Sequence, residues 1–142
     1  MAEIFPDEGL DIVLNIFPRG GSNLTTTYIG LWTSFTASTV GSSSQTRSSY
    51  TETDFGSYAR QSIAAASWGA IAAGTGGRKT TAGQVTFPTA TGAGTSAING
   101  FGVYNALTLG SLVFSANFDD TTAVSIASGD TIRVTPTIQY NN

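Results

Sequence analysis

The sequence predicts an all-β fold, an antiparallel β-sandwich of jelly-roll type with about eight strands and a short N-terminal helix. Three observations carry that prediction. The 40% apolar share is held largely by Ile, Val, Phe, Tyr and Trp, with many Thr beside them, and these side chains suit a pleated, half-buried surface. From Thr25 onward they come in short runs, spaced about 8–12 residues apart as in a sandwich or barrel. Between the runs stand Gly, Pro, Ser and Asp clusters that turn the chain. The 142 residues fit a single domain, 1–142, in which residues 1–21 form an arm and short helix and 22–142 the sandwich.

Taken in order, residues 7–17 place Leu10, Val13, Leu14 and Phe17 on one helical stripe. Asp7, Glu8 and Asp11 lie at its start, where a helix dipole favours negative charge, and Pro18, Gly20 and Gly21 stop it. The β-branched pair Ile12 and Val13 makes a strand the competing reading. TTTYIGLWT, 25–33, reads as the first strand, with Tyr28, Gly30 and Trp32 on one face and Ile29 and Leu31 on the other. Both faces are apolar, which suits burial on both sides.

Residues 34–53 are almost all Ser, Thr, Gly and small polar groups, and they read as a long polar loop or arm that includes Arg47 and Tyr50. YARQSI, 58–63, is the next strand, and Ala64–Ala66 can support a helical turn before Trp68. Residues 69–84 read as a flexible connection or wide hairpin tip, and VTFP, 85–88, as a strand ended by Pro88. AINGFGVYN, 97–105, carries glycines that signal a bulge or a close backbone approach. GSLVFSANF, 110–118, TAVSIAS, 122–128, and TIRVTPTIQY, 131–140, complete the strands, with turns at Asp119-Asp120 and Gly129-Asp130.

Charge narrows function. Only 11% of residues are charged, against about 25% in an average soluble domain, so the surface is made of Ser, Thr, Gly, Asn and backbone. A formal charge of −3 without a basic stripe argues against nucleic acid as a partner. Arg78-Lys79 is the one adjacent basic pair, and it reads as solvated loop. With no cysteine, stability comes from burial or from partner subunits. The acidic N-terminus does not resemble a secretion signal, and Leu10–Phe17 is too short to cross a bilayer, so the expectation is a soluble chain made in the cytoplasm without export.

The chain has no histidine, which removes the commonest general acid-base group and the imidazole metal ligand. Glu52 and Asp54 could share a strand face as a carboxylate pair, but they lie in a segment read as loop. Asp119, Asp120 and Asp130 could supply oxygens to calcium, though turn aspartates have the same pattern without metal. Gly74–Thr81 lacks the phosphate-loop spacing, and the sequon at Asn23-Leu24-Thr25 has no use without export. The reading is therefore no enzyme, no cofactor and no metal. Tyr28, Trp32, Tyr58, Trp68 and Tyr104 are expected to fill a core before they serve as a stacking platform.

Four segments in this order, TTTYIGLWT, GSYARQSIAAASWGA, QVTFPTATG and INGFGVYNALTLGSLVFSANFDDTTAVSIASGDTIRVTPTIQY, resemble a family of small virion proteins of tailed bacteriophages. They cover most of the chain from Thr25 onward. Members of that family are often labelled tail-fibre proteins, and others are similar to the cement proteins that decorate capsids. The resemblance implies a structural virion protein, here expected to be a cement protein on the capsid surface. Its partners would be the major capsid protein and itself, as a homotrimer. Ile4, Phe5 and Phe17, with Arg47 and Tyr50, are the candidate contacts to capsid or neighbouring subunit. The alternative is a tail or fibre component that meets a host glycan, which exposed Tyr50 or Phe55 would favour.

Overall fold

The computed structural model describes residues 24–35, 46–74, 77–118 and 122–141. The predicted N-terminal helix, Ile4, Phe5 and Phe17 lie outside the described residues, as do 36–45 of the polar stretch and Asp119-Asp120. All strand pairings are antiparallel, and the fold is all-β. Ten strands are described, in three sheets.

The large sheet is built on β1 (Thr26–Phe35). One edge of β1 pairs with β7 (Gly100–Tyr104), which pairs in turn with β8 (Leu112–Asn117). The other edge is shared: β2 (Tyr50–Glu52) takes the stretch from Trp32 to Phe35, and β3 (Gln61–Ala64) takes Thr26 to Ile29. A three-residue 3₁₀ turn, Ala65–Ser67, follows β3, as the alanine run allowed. The second sheet has β5 (Gly77–Thr81) between β4 (Ala72–Gly74) and β10 (Thr137–Asn141). The third is a ribbon of β6 (Val85–Thr86) and β9 (Arg133–Val134).

β1 is buried on both faces, as its apolar pattern implied. Ile29 and Leu31 join the main core with Phe87, Ile98, Val103, Phe114 and Val134, a cluster that draws on all three sheets through Val85 and Ile138. On the opposite face Trp32, Tyr104, Tyr50 and Leu112 form a second, smaller core with Tyr28 against it. One bulge lets β8 serve both. Tyr104 lies opposite Leu112, yet Val103 lies opposite Phe114, so the register shifts by one residue at Val113. A one-residue shift reverses the side chains, and Leu112 enters the small core while Phe114 enters the main one.

The glycines of GFGVY mark a close approach, here of an aromatic ring. A Cβ on Gly100 would lie 2.2 Å from the carbonyl oxygen of Ala116 and 2.5 Å from the Trp32 ring, which lies across the strand at that point.

Several sequence expectations are corrected. TIRVTPTIQY is two strands in two sheets, divided at Thr135-Pro136. Proline has no N–H for a ladder, and its carbonyl instead accepts the Ala82 N–H at 2.9 Å. TAVSIAS is no strand: it is held by the bridge between Val124 and Ile98, by the Gly94 N–H, which donates to the Ile126 carbonyl at 3.2 Å, and by burial of Ile126 in the main core. Residues 58–60 of YARQSI are not extended in the sheet, because Tyr58 and Arg60 turn their side chains inward. Residues 69–84 are not a loose connection: β4 and β5 form a hairpin, and Arg78 and Lys79 are exposed on the middle strand.

Gly100→Ala is expected to cost at least about 2 kcal/mol, since backbone and a packed ring must both shift. Gly83→Ala, where a Cβ meets nothing within 4 Å, should stay within about 0.5 kcal/mol of the parent. Urea denaturation of the two variants checks this, and equal midpoints would refute it.

Candidate functional site

Where β2 and β3 divide the edge of β1, Leu31 is left between them. Its N–H donates to the Tyr58 hydroxyl at 3.0 Å, and its carbonyl accepts the Thr53 N–H at 3.0 Å. The Tyr58 hydroxyl donates onward to Glu52 Oε2 at 2.7 Å. Tyr58 therefore closes the gap in the sheet, its ring stacked on Phe87 and edge-on to Phe55. The Glu52 carboxylate lies over Gly30, where a Cβ would come within 2.9 Å of Oε2 and 3.1 Å of the Tyr104 ring.

Arg60 completes this arrangement. Its side chain is 5% exposed and forms a salt bridge to Glu52, itself 26% exposed. Nε donates to both carboxylate oxygens at 3.0 and 3.1 Å, and Nη2 donates to Oε1 as well. Nη1 donates to the carbonyls of Ala106 at 3.0 Å and Leu109 at 2.8 Å. The guanidinium carbon stands 3.6 Å from the centre of the Tyr104 ring, within cation–π range. Burial opposes the charge of Arg60, but the hydrogen bonds and charge of Glu52 outweigh it, so Arg60 holds its proton more tightly than a free arginine. Burial, followed by the charge of Glu52, pushes both the Tyr58 and Tyr104 phenols far above their ordinary range. Both remain neutral.

The two carbonyls held by Arg60 belong to the connection between β7 and β8. Asn105 closes that loop, its N–H donating to the Ser111 carbonyl at 3.2 Å and its Oδ1 accepting the Ser111 N–H at 2.8 Å. Leu109 has a φ of 55°, a left-handed conformation that costs a branched side chain energy, and Gly110 follows at 70°. Leu107 and Leu109 stand 51% and 70% exposed. Together with Arg47, Glu52, Tyr58 and Arg60 they border an open cleft of about 410 Å³.

The other sequence candidates lie elsewhere. Arg47 is half-buried at the cleft, in the 3₁₀ turn Arg47–Ser49 that precedes β2. Tyr50 is 8% exposed, its ring 5.4 Å from that of Trp32 and its hydroxyl 2.8 Å from Ser115 Oγ, and burial raises its pKa. Phe55 is buried as well, so neither ring offers an exposed stacking face. Trp32 and Tyr104 are core, whereas Tyr28, Tyr58 and Trp68 are half-buried against it. Glu52 and Asp54 do separate work: the Asp54 carboxylate accepts the N–H and hydroxyl of Thr95, at 2.8 and 2.7 Å. Asp130 accepts the Ala127 N–H at 2.8 Å within its turn. Among the described residues no three acidic, His or Cys side chains are grouped to hold a metal.

Sequence reasoning missed Arg60, Leu107 and Leu109. A signal was present: an arginine between Tyr58 and Ile63 is conspicuous in a chain with six basic residues, and ALTLG puts two leucines where a hairpin connection is expected to be polar.

The model of the family described as Podophage GP4 fiber I protein gp80 matches residues 12–138. The chain belongs to that family. The match spans the whole cleft and every described strand up to the start of β10. As a member of the podophage gp80 family the protein is a structural protein of the bacteriophage virion, as the sequence resemblance implied. No curated protein matches the chain.

Removing one partner of a buried ion pair costs roughly 3–5 kcal/mol. Glu52→Gln should fall in that range and also speed hydrogen exchange across 105–111, because Arg60 loses the anchor that aims it at the loop. Unchanged exchange there would refute the bracing role. On the acid side, the Thr95 N–H and hydroxyl hold the Asp54 carboxyl below its usual 3.8. Its folded pKa is depressed, so its contribution is present above pH 3.8 and is lost as pH falls through the folded value. Asp54→Asn should flatten the fall in stability below that pH, as followed by urea midpoints.

Proposed function

We propose that this virion protein is a fibre component that acts by rigid contact with neighbouring proteins and catalyses no reaction. The observation that carries this reading is the use to which the charged groups are put. Glu52 and Arg60 neutralise one another and brace the loop carrying Leu107 and Leu109, and Asp54 ties down Thr95. Each of these carboxylates is thus engaged by a partner that fixes the fold: Glu52 by Arg60, and Asp54 by Thr95. What remains outside is a surface with few charges and a held apolar projection, which suits protein contact.

The word fibre in the family description supports placement at the tail. Decoration of the capsid surface, with the major capsid protein and a homotrimer as partners, requires the same chemistry, since a cement protein also works by apolar and backbone contact. The fibre placement is preferred because the family description favours it. The same reading takes the two smaller sheets as the second layer of a jelly-roll sandwich over the large one, since one apolar cluster joins them.

Quantitative mass spectrometry of purified virions, with gold-labelled antibody on intact particles, tests the proposal. A few copies per particle with label at the tail is the expected result. Copies near those of the major capsid protein, with label over the shell, would transfer the protein to capsid decoration. Absence from purified particles would overturn both placements.

A further inference from the structure

Between Arg60 and Asp119 the chain has only two charged side chains, Arg78 and Lys79, and they stand next to each other on β5. Adjacent residues of a strand point to opposite faces, and both are exposed, so the β4–β5 hairpin stands in water on both sides. Neither forms a salt bridge among the described residues, whereas Arg60 is matched by Glu52. Their cross-strand neighbours are small: Ala73 lies opposite Arg78 and Ala72 opposite Lys79. Both long side chains can therefore lie across β4, one on each face, and carry their charge to its outer edge.

We infer that the outer edge of β4 is a docking site for an extended, acidic segment of a partner protein, which adds there as a further strand of the sheet. The backbone is the first argument. β4 is the end strand of its sheet and pairs only with β5 among the described residues. Exposed edges are commonly guarded by a charge or a proline on the edge strand itself, because open N–H and C=O groups recruit other strands. Residues 71–74 have neither, and Ile71, at the entry to β4, is 68% exposed.

Charge is the second argument, and it selects the occupant. A strand added to β4 lies two strand spacings, roughly 10 Å, from β5. An arginine or lysine reaching over an alanine meets an aspartate or glutamate reaching back from such a strand. Because Arg78 and Lys79 take opposite faces, two adjacent acidic residues satisfy both. A second copy of this chain fits less well, since pairing β4 with β4 would direct two cations from each copy at one seam, and β4 holds no carboxylate to separate them. This edge belongs to a different sheet from the β7–β8 connection and adds to the contact proposed at Leu107 and Leu109.

The test uses the full chain, isotope-labelled, and two octapeptides rich in threonine and valine. One has an adjacent aspartate and glutamate at its centre, the other asparagine and glutamine in their place. In NMR titrations at low salt the acidic peptide is expected to bind about tenfold more tightly, the effect of two exposed ion pairs. It should slow amide exchange in β4 and leave β10, the opposite edge of the same sheet, unchanged. Arg78→Gln, Lys79→Gln, which alters only exposed side chains, should abolish the preference while β1 and β7 keep their exchange rates. Equal binding of the two peptides, protection of β10 in place of β4, or a preference that survives the double glutamine variant would each overturn the inference. So would the absence of binding at millimolar peptide, or association of two copies through β4. None of these outcomes depends on where in the virion the protein sits.

Discussion

An ion pair placed on the face of a sheet sets the terms for the rest of this molecule. Arg60 and Glu52 leave water together, and that cost is recovered only where every donor finds an acceptor. The Tyr104 ring beneath, the Tyr58 hydroxyl beside and the two loop carbonyls beyond meet most of that demand. The pair thereby binds the end of β2 and the segment before β3 to the β7–β8 connection, which lies far along the sequence. A hydrophobic pair of equal volume could match its stability, but it could not direct two hydrogen bonds at loop carbonyls. Shape is what the charges secure here.

How far this was legible follows from which signals are local. β1 was legible because period-two alternation of large side chains is local, and its two apolar faces correctly announced burial on both sides. The glycines of GFGVY announced a close approach, though only the structure shows that the neighbours are the Trp32 ring and the Ala116 carbonyl. TIRVTPTIQY was misjudged as one strand because its composition is uniform, and Pro136 was the sign that two sheets share it. Arg60 was read by alternation as a strand residue. Glu52 stands only eight residues away, but the partners at Ala106 and Leu109 are brought to Arg60 by strand pairing that no window of sequence contains.

The low charge content takes on meaning beside the fold. Two of the few ionic groups are spent on the inner pair and a third, Asp54, on a loop, so the outer surface relies on hydroxyls and amides. Such a surface is poorly suited to long-range electrostatic steering.

The division of the last strands at Pro136 has a mechanical consequence. β10 lies on the edge of its sheet and runs antiparallel to β5, with Asn141 opposite Gly77 and Thr137 opposite Thr81. Tension applied to the backbone beyond Asn141 and directed across the strand opens these pairs one after another. At Pro136 the load meets a buried ring and the bond from Ala82, and past it β9 belongs to a different sheet. The chain thus carries a short yielding length in series with a core that resists, and a particle component built this way can extend under a pull before its fold is at risk.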